Sequence, residues 1–426
     1  MDTKAVLGHS YRPRVIDPLV TEALSTSGAV LIEGPRACGK TMTAMNAASS
    51  YAFLDDPATA QIAAISPAAV LDGASPRLLD EWQLAPDLWN LVRRRVDAAP
   101  RKGLFLLTGS AVPADDATRH TGAGRILRLR ERTSTWAEKS VPHAPAGVSL
   151  TGLFNNGLPR ADLSDAMTYQ DVVEQLLRPG FPAMTTLAPE RAFRLLRAYI
   201  DEVARADVPR LADGRREPAV VARVIAAVAR SVASEVSYTT LAADVGEVSP
   251  SIKPETAAEY VRLLERLFVV ETQPAWTPRL RSRARLRRSA KVHLADPALA
   301  AAALGAGRER LQRDPATVGL LFESAVFHDL SVFAELLGGE VRHYRDSNGH
   351  EIDAVVALPD GRWAAVEVKL GGGQAPPAAE SLARAVAQID PVAAGEPAFR
   401  LIVTGTGQTY VMGDGTITCP LRALRP

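Results

Sequence analysis

One stretch of the chain has residue types and spacing suited to binding phosphate. Residues 34 to 41 read Gly-Pro-Arg-Ala-Cys-Gly-Lys-Thr and fit the pattern G-x-x-x-x-G-K-[ST]. Glycines let backbone N–H groups close around phosphate oxygens, Lys40 reaches the β- and γ-phosphates, and Thr41 can hold Mg²⁺. An apolar run (29–32) precedes the pattern and a helical run (42–48) follows it, which disfavours a chance match in a glycine-containing turn. The residues predicted to bind nucleotide are Gly34, Pro35, Arg36, Ala37, Cys38, Gly39, Lys40, Thr41, Met42 and Asp80.

Two acidic residues end the next strongly apolar segment. Asp80 and Glu81 follow Pro-Arg-Leu-Leu and lie about 40 residues after Lys40, with helical segments between them. We expect Asp80 to hold the Mg²⁺ shell through water and Glu81 to polarise the attacking water. A strand that ends in Asp-Glu is common, so the spacing from the phosphate-binding pattern at residues 34–41, the P-loop, carries this prediction.

A further strand is predicted over residues 103–110, and its polar end contains Thr108 and Ser110. One of these hydroxyls, with Thr108 as the first candidate, is predicted to sense the γ-phosphate and orient the water. The alternative is that both are turn and cap residues. Arg125, with Arg119 as second candidate, is predicted to act across a subunit boundary on the transferred phosphoryl group. The alternative for Arg125 is a solvated or salt-bridged side chain.

The last part of the chain carries a second set of polar residues between apolar strands. Glu367 and Lys369 are two apart on one predicted strand and therefore share a face. Asp353 lies opposite them in a turn and strand predicted over 344–357, and Glu323 lies on a helix predicted over 319–337. Carboxylates in this order suit a hard cation, and a lysine beside it lowers the pKa of metal-bound water. The predicted metal ligands here are Glu323, Asp353 and Glu367, and the predicted catalytic residues are Asp353, Glu367 and Lys369.

This order of residues resembles the PD-(D/E)xK nuclease fold, in which some members keep a glutamine where Gln388 stands. Such domains also survive as binders of nucleic acid or of protein partners. Whether this one cuts nucleic acid is therefore left open at the level of sequence.

Alternating apolar strands and helices must position the first set of residues. A helix is predicted over 12–25, strands at 29–32, 51–56, 76–81 and 103–110, and helices over 42–48, 58–70 and 88–96. This alternation predicts a parallel sheet whose ligands lie at the carboxyl ends of the strands.

The middle of the chain is predicted to be helical, at 169–206 and 220–232. Residues 237–244 and 249–268 have the spacing of a helix-turn-helix, with five apolar side chains facing a core: Tyr260, Leu263, Leu264, Leu267 and Phe268. Alternate arginines from Arg279 to Arg287 would form one basic edge of a strand, as in a winged helix that contacts phosphate backbone. The alternative is a solubilising or partner-contacting hairpin.

Composition limits the class of protein. The 426 residues are 47% hydrophobic and 23% charged, as in ordinary globular domains. The net charge is +1, so any nucleic-acid contact depends on local basic surfaces. The two cysteines, Cys38 and Cys419, indicate a reducing compartment, and no apolar run is long enough for a membrane span. The sequence therefore predicts a cytoplasmic protein with no membrane association.

GPRACGKT, LLDEWQ, LLTGS and GAGRI, in that order, resemble the AAA+ ATPases, and more narrowly a prokaryotic branch whose ATPase module precedes an uncharacterised C-terminal domain. The same branch is resembled by three further segments, namely Phe181-Pro182, residues 201–209 and residues 291–296. This chain differs from the branch at Pro179-Gly180, where the pattern favours two glycines. The resemblance implies ATP and Mg²⁺ as cofactors and a homo-oligomer, often a ring such as a hexamer.

The predicted fold class is α/β: a P-loop parallel-sheet domain (1–140), a helical lid region (141–215), a winged-helix-like domain (216–300) and a nuclease-like α/β domain (301–426). The favoured function is an ATPase that hydrolyses ATP as a homo-oligomer and acts on DNA through its later domains. The alternative is an ATP-gated protein-interaction switch whose nuclease-like domain is catalytically silent.

Overall fold

The structure of the protein is a computed structural model that describes residues 11–111, 122–139, 147–164, 166–212, 217–246, 252–278 and 289–426. The chain divides into two compact units, Met1–Thr133 with Leu264–Val269, and Ser134–Leu263 with Val270–Pro426. The predicted boundary at 140 lies near the change of unit at Thr133, whereas those at 215 and 300 fall inside the second unit. The four-part division stays a prediction.

The first unit is built on a five-stranded sheet in the order β2-β3-β4-β1-β5. All four pairings in this sheet are parallel. The strands are β1 (Ala29–Glu33), β2 (Ser50–Phe53), β3 (Arg77–Asp80), β4 (Phe105–Gly109) and β5 (Ile126–Arg130). The helices of this unit are α1 (Asp17–Thr26), α2 (Lys40–Ala47), α3 (Pro57–Ile65), α4 (Pro67–Val70) and α5 (Leu88–Ala98). The predicted parallel α/β architecture of this unit is confirmed.

Both faces of this sheet are buried, which explains why its central strands read as continuous apolar runs. Val30, Ile32, Leu78 and Leu106 belong to one hydrophobic cluster and Leu31 belongs to the other. Alternate residues of β1 thus pack on opposite faces, as strand geometry requires.

The predicted helix over 58–70 is interrupted, and this prediction was wrong in that respect. Ser66 has φ −144° and ψ 77°, outside the helical region, and α4 begins at Pro67. Proline lacks an amide hydrogen and disfavours the helical conformation in the residue before it, so the helix ends and a short one follows.

The second unit begins with helices. They are α6 (Trp136–Lys139), α7 (Leu150–Phe154), α8 (Tyr169–Leu177), α9 (Pro189–Glu202), which continues as a π-helical turn (Val203–Asp207), α10 (Val208–Leu211), α11 (Pro218–Arg230), α12 (Tyr238–Gly246) and α13 (Pro254–Arg266), whose last three residues are assigned to the first unit. The five apolar residues predicted to face a core between 260 and 268 are all buried. The helix pair α12 and α13 precedes antiparallel strands β8 (Val270–Gln273) and β9 (Lys291–Leu294), which pair in a sheet of order β7-β9-β8 with β7 (Ser234–Glu235). The winged-helix assignment stays a prediction.

The C-terminal part contains a mixed six-stranded sheet of order β10-β11-β12-β13-β15-β14. Its strands are β10 (Glu340–Arg345), β11 (Glu351–Ala357), β12 (Trp363–Lys369), β13 (Arg400–Thr404), β14 (Tyr410–Val411) and β15 (Ile417–Pro420). A two-stranded sheet pairs β16 (Leu424–Arg425) with β6 (Val148–Ser149). The remaining helices are α14 (Pro297–Ala303), α15 (Arg308–Gln312), α16 (Pro315–Glu335), α17 (Ala375–Val386) and α18 (Pro391–Ala394).

Helix α16 is the one described helix whose length and composition would allow it to cross a membrane, and 67% of its most apolar window is buried inside the protein. That burial is typical of a core helix. The basic run from Arg279 to Arg287 and the second finger candidate, Arg119, lie outside the described residues.

Candidate nucleotide site and a carboxylate–lysine cluster

The P-loop joins the end of β1 to the start of α2 and requires glycine at two positions. Gly39 has φ 123°, a left-handed conformation that side chains rarely adopt, and α2 begins at the next residue. A Cβ on Gly34 would lie 2.0 Å from the carbonyl oxygen of Glu131. The loop therefore turns sharply enough for the amide groups at the N-terminus of α2 to face it, which is the geometry that binds phosphate.

The side chain of Lys40 lies inside this loop and is almost completely buried. Its Nζ donates to the carbonyl oxygens of Gly34, at 3.0 Å, and Pro35, at 2.8 Å. An ammonium group held by two backbone carbonyls at the helix N-terminus can exchange these neutral acceptors for phosphate oxygens.

Two hydroxyl groups converge on one oxygen of Asp80. Thr41 Oγ1 donates to Asp80 Oδ1 at 2.9 Å, and Thr108 Oγ1 donates to the same oxygen at 2.5 Å. Burial raises the pKa of Asp80, and the two hydroxyl donors oppose that rise. A carboxylate beside a threonine hydroxyl is a set of hard oxygen donors, so these residues fit a bound Mg²⁺.

Glu81 has a left-handed backbone, with φ 53° and ψ 48°, which is uncommon for a residue with a side chain. Its amide group donates to Thr108 Oγ1 at 3.0 Å, so one hydroxyl contacts both acidic residues. The Glu81 carboxylate accepts from Ser110 Oγ, at 3.0 Å, and from Gln83 Nε2. The structure thus brings together every residue predicted for water activation, and it adds Gln83. Because Thr108 is fully buried, its direct contact with a γ-phosphate stays a prediction.

A buried ion pair between Arg14 and Glu131 contacts the P-loop, and no sequence pattern predicted it. Arg14 Nη1 donates to Glu131 Oε1 at 2.8 Å and to the carbonyl oxygen of Cys38 at 2.9 Å. Thr43 Oγ1, on α2, donates to the same Glu131 oxygen at 3.0 Å. These bonds connect the loop backbone, α2 and the residue after β5, which keeps the loop in one shape.

Within the second unit, the predicted C-terminal residues also lie together. Asp353 is on β11, Glu367 and Lys369 are on β12, and Glu323 lies in the middle of α16. Asp353 Oδ2 accepts from the backbone N–H of Val368 at 2.8 Å. Lys369 Nζ donates to Glu367 Oε1 at 2.7 Å. The four residues lie in one cluster, and the resemblance to the nuclease fold stays a prediction.

A second lysine, Lys291 on β9, belongs to this cluster and was missed as a site residue. Its Nζ donates to Glu323 Oε1 at 2.5 Å and lies 3.9 Å from Asp353 Oδ1. Burial, with the charge of Asp353 added, raises the pKa of Glu323 to about 7 although Lys291 opposes this shift. Burial and Asp353 likewise raise the pKa of Glu367 to about 7 against the effect of Lys369.

Comparison with known proteins agrees with the architecture of the first unit. Residues 26–138 match the AAA domain family. The first unit contains an AAA-type P-loop ATPase domain. Two further matches, residues 169–310 to the domain of unknown function DUF8612 and residues 318–424 to DUF4143, assign no activity. Among curated proteins, none matches the sequence.

Two solved structures align with much of the chain at low identity. A Walker-type ATPase of Pyrococcus abyssi is 12% identical with a TM-score of 0.38, and the alignment covers 69% of this chain and 99% of that one. The Orc1 protein of Aeropyrum pernix, solved in complex with DNA, is 14% identical with a TM-score of 0.25, and the alignment covers 73% and 96% of the two chains. Likeness at this level indicates no shared fold, activity or partner.

Arg125 lies at the amino ends of the strands in the five-stranded sheet, whereas the P-loop begins at their carboxyl ends. It immediately precedes β5, and its carbonyl oxygen accepts from the N–H of Ala29 at the start of β1, whereas the P-loop follows the end of β1. Its Nε donates to Asp97 Oδ1 at 2.8 Å, and both side chains are exposed. Arg125 therefore does not join the nucleotide site of its own subunit, and its action on a neighbouring subunit stays a prediction.

The two sets of predicted metal ligands differ in how well their side chains fit a metal ion. Across the part of the chain that the structure describes, no three carboxylate, imidazole or thiolate side chains converge closely enough to hold a metal ion as they stand. Asp80 offers a carboxylate whose hydrogen-bond partners are the neutral hydroxyls of Thr41 and Thr108, and the Thr41 hydroxyl is a second oxygen ligand beside it. In the C-terminal cluster, ammonium groups already contact Glu323 and Glu367, so the predicted metal does not fit the side chains in this arrangement.

Proposed function

We propose that the protein is a Mg²⁺-dependent ATP hydrolase. The observation that carries this proposal is the chain of hydrogen bonds from Thr41 through Asp80 and Thr108 to Glu81, at the sheet edge where the P-loop begins. Bound Mg²⁺ would neutralise charge on the phosphates, and Thr41 and Asp80 would hold it. Lys40 would bind the β- and γ-phosphates, and Glu81 would take the proton from the attacking water.

The same proposal includes a homo-oligomer with Arg125 acting in trans. Its support is the position of Arg125 at the edge away from its own P-loop, where the guanidinium is exposed. A cation from a neighbouring subunit can stabilise charge that develops on the transferred phosphoryl group. A closed ring, for example a hexamer, would give every subunit one such neighbour.

The proposed target is DNA, contacted through the second unit. Support comes from helices α12 and α13 followed by the antiparallel strands β8 and β9, the order of elements in a winged helix. The segment that joins those strands contains the alternating arginines, whose charges suit phosphate contacts in a protein whose net charge is only +1.

ATP binding and phosphate release test the enzymatic proposal. We expect Lys40→Ala to lose ATP binding and Glu81→Gln to bind ATP while turning it over at least about a hundredfold more slowly, because a general base contributes about 10²–10⁴ in rate. Lys102→Ala and Glu22→Gln, both at exposed positions, are the matched controls. Native turnover in Glu81→Gln would contradict the assignment of the base.

DNA binding is tested by mobility shift with duplex, branched and single-stranded DNA, with and without ATP. Replacing three arginines of the basic run should weaken binding to all sequences alike and lower the log–log salt slope by roughly one unit per lost phosphate contact; the three are Arg281, Arg283 and Arg285. The charge-matched control replaces three exposed arginines of α9, namely Arg191, Arg194 and Arg197. An unchanged slope in the first variant, with ATP turnover intact, would remove the basic run from the interface.

One observation favours a second candidate function. Because lysines already contact the carboxylates of the C-terminal cluster, that region fits a silent domain in an ATP-gated interaction protein. The same mobility-shift experiment separates the two: failure to shift any DNA form, with ATP turnover intact, favours the interaction switch.

A further inference from the structure

The side chain of Lys291 lies where carboxylates from two different elements meet. Its Nζ is 2.5 Å from Glu323 Oε1, on α16, and 3.9 Å from Asp353 Oδ1, on β11. The lysine side chain is only 11% exposed, so solvent does little to weaken the attraction. A positive charge thus occupies the point between the two acidic groups.

The position of Lys291 is fixed by the elements around it. On β9, Lys291 and His293 share one face, and His293 Nδ1 is 3.1 Å from Ser324 Oγ, the residue after Glu323. His293 Nε2 is 3.2 Å from Gln273 Oε1, and Gln273 Nε2 donates to the carbonyl oxygen of Asp353 at 2.9 Å. Hydrogen bonds therefore connect the backbone that carries Lys291 to both segments that carry its acidic partners.

The hydrogen-bond donors around the three carboxylates already compensate most of the negative charge that a divalent cation would neutralise. Glu323 and Glu367 each accept from a lysine, and Asp353 accepts from the Val368 amide. Three carboxylates and two ammonium groups leave at most one net negative charge in the cluster. A protonated lysine has three N–H donors and no lone pair, so it repels a metal ion and cannot become its ligand.

We propose that Lys291 is the resident cation of this cluster, that it takes the place of a divalent metal between Glu323 and Asp353, and that its removal would create a metal site. The C-terminal domain would then act without metal-dependent hydrolysis, and its nuclease-like order of residues would serve to hold β9, α16, β11 and β12 together. The inference is independent of ATP turnover, because it concerns a cluster within the second unit and its test needs no nucleotide.

The test measures Mn²⁺ binding by calorimetry and by the loss of free-ion electron paramagnetic resonance signal. The full-length chain carries Asp80→Asn in every sample, so that the nucleotide site does not add Mn²⁺ binding. We expect no Mn²⁺ site in this parent, and one site in Lys291→Met with at least about tenfold tighter binding, because a unit positive charge about 4 Å away is removed. The added site should disappear in Lys291→Met/Glu323→Gln.

Two charge controls accompany the variant. Lys291→Arg keeps the positive charge and should gain no Mn²⁺ site, and Lys253→Met removes a charge at an exposed position and should behave as the parent does. Mn²⁺ bound by the parent and lost in Glu367→Gln would overturn the proposal, and this arm needs no variant of Lys291 to fold. A folded Lys291→Met that binds Mn²⁺ no better than the parent would overturn it as well.

Discussion

Replacing Thr108 by valine removes a single hydroxyl that serves both acidic residues of the ATPase site. Thr108 Oγ1 donates to Asp80 Oδ1 at 2.5 Å and accepts from the Glu81 amide at 3.0 Å. Thr108 is fully buried, so water does not replace either bond in the variant. Valine keeps the shape of threonine and its preference for a strand, and β4 should therefore form as before.

The size of the effect follows from these two bonds. A hydrogen bond to a charged group contributes about 1.5–3 kcal/mol, and a buried amide left without a partner costs about 1–3 kcal/mol. The amide left without a partner is that of Glu81, and the lost hydrogen bond helped to hold the left-handed backbone of that residue. If the carboxylate moves from its working position, turnover should fall by roughly 10- to 100-fold, since each 1.4 kcal/mol is a factor of ten. The affinity for ATP should change less than about threefold, because Lys40 donates to Gly34 and Pro35 and not to Thr108.

Steady-state phosphate release gives kcat, and calorimetry with a slowly hydrolysed ATP analogue gives Kd. Thr108→Ser is the matched control, since it keeps the hydroxyl and removes only a methyl group; it should retain most of the turnover. Native turnover in a folded Thr108→Val would refute the reasoning. A loss confined to ATP affinity would instead mean that this hydroxyl contacts the phosphates or Mg²⁺ directly.

Two further predictions concern the subunit boundary and acid stability. Arg125→Ala should abolish ATP turnover in an assembly of that variant alone. Mixing it with Glu81→Gln subunits should restore part of the turnover, because some interfaces then combine an intact arginine with an intact base. No recovery at any mixing ratio, with assembly confirmed by sedimentation, would argue against a shared site. Burial, with the charge of Lys291 added, lowers the pKa of His293 from 6.5 to about 3, so the unfolded chain binds the proton more readily than the folded one. Through this residue alone, the free energy of unfolding should therefore fall by about 2 kcal/mol as the pH is lowered from above 6.5 to 5. Denaturant unfolding of His293→Gln should show a smaller decrease in the free energy of unfolding over that range. Equal slopes in the two proteins would show that His293 does not carry the acid dependence.

The geometry of the candidate nucleotide site could be predicted because each of its parts is local in sequence. The P-loop pattern specifies a backbone shape, and the glycines at 34 and 39 are required by that shape in the structure. Apolar runs that end in polar residues place Asp80 and Thr108 at the carboxyl edge of a parallel sheet, where they meet Thr41. The location of Arg125 could have been predicted in the same way. A residue that precedes a parallel strand lies at the amino ends of the strands, away from residues that follow a strand.

The parts that sequence did not predict are side-chain pairs between distant segments. Arg14 and Glu131 are 117 residues apart, and neither belongs to a recognisable pattern. Gln83 stands in the LLDEWQ motif, but only the left-handed turn at Glu81 brings its amide group to the carboxylate two residues earlier. Lys291 is on a strand outside the six-stranded sheet that carries Asp353 and Glu367, and its reach into the cluster depends on tertiary packing.

The donors around a carboxylate, more than the number of carboxylates, decide whether a site needs an added cation. Asp80 accepts from two neutral hydroxyls, which leave its negative charge in place, and a cation that arrives with the nucleotide can neutralise it. Glu323 and Glu367 accept from ammonium groups, which supply the positive charge from within the chain. Two sets of acidic residues that look alike in sequence thus have opposite requirements. A cation that arrives with the nucleotide would therefore change the charge of the first set, whereas the second set already holds its positive charges in Lys291 and Lys369.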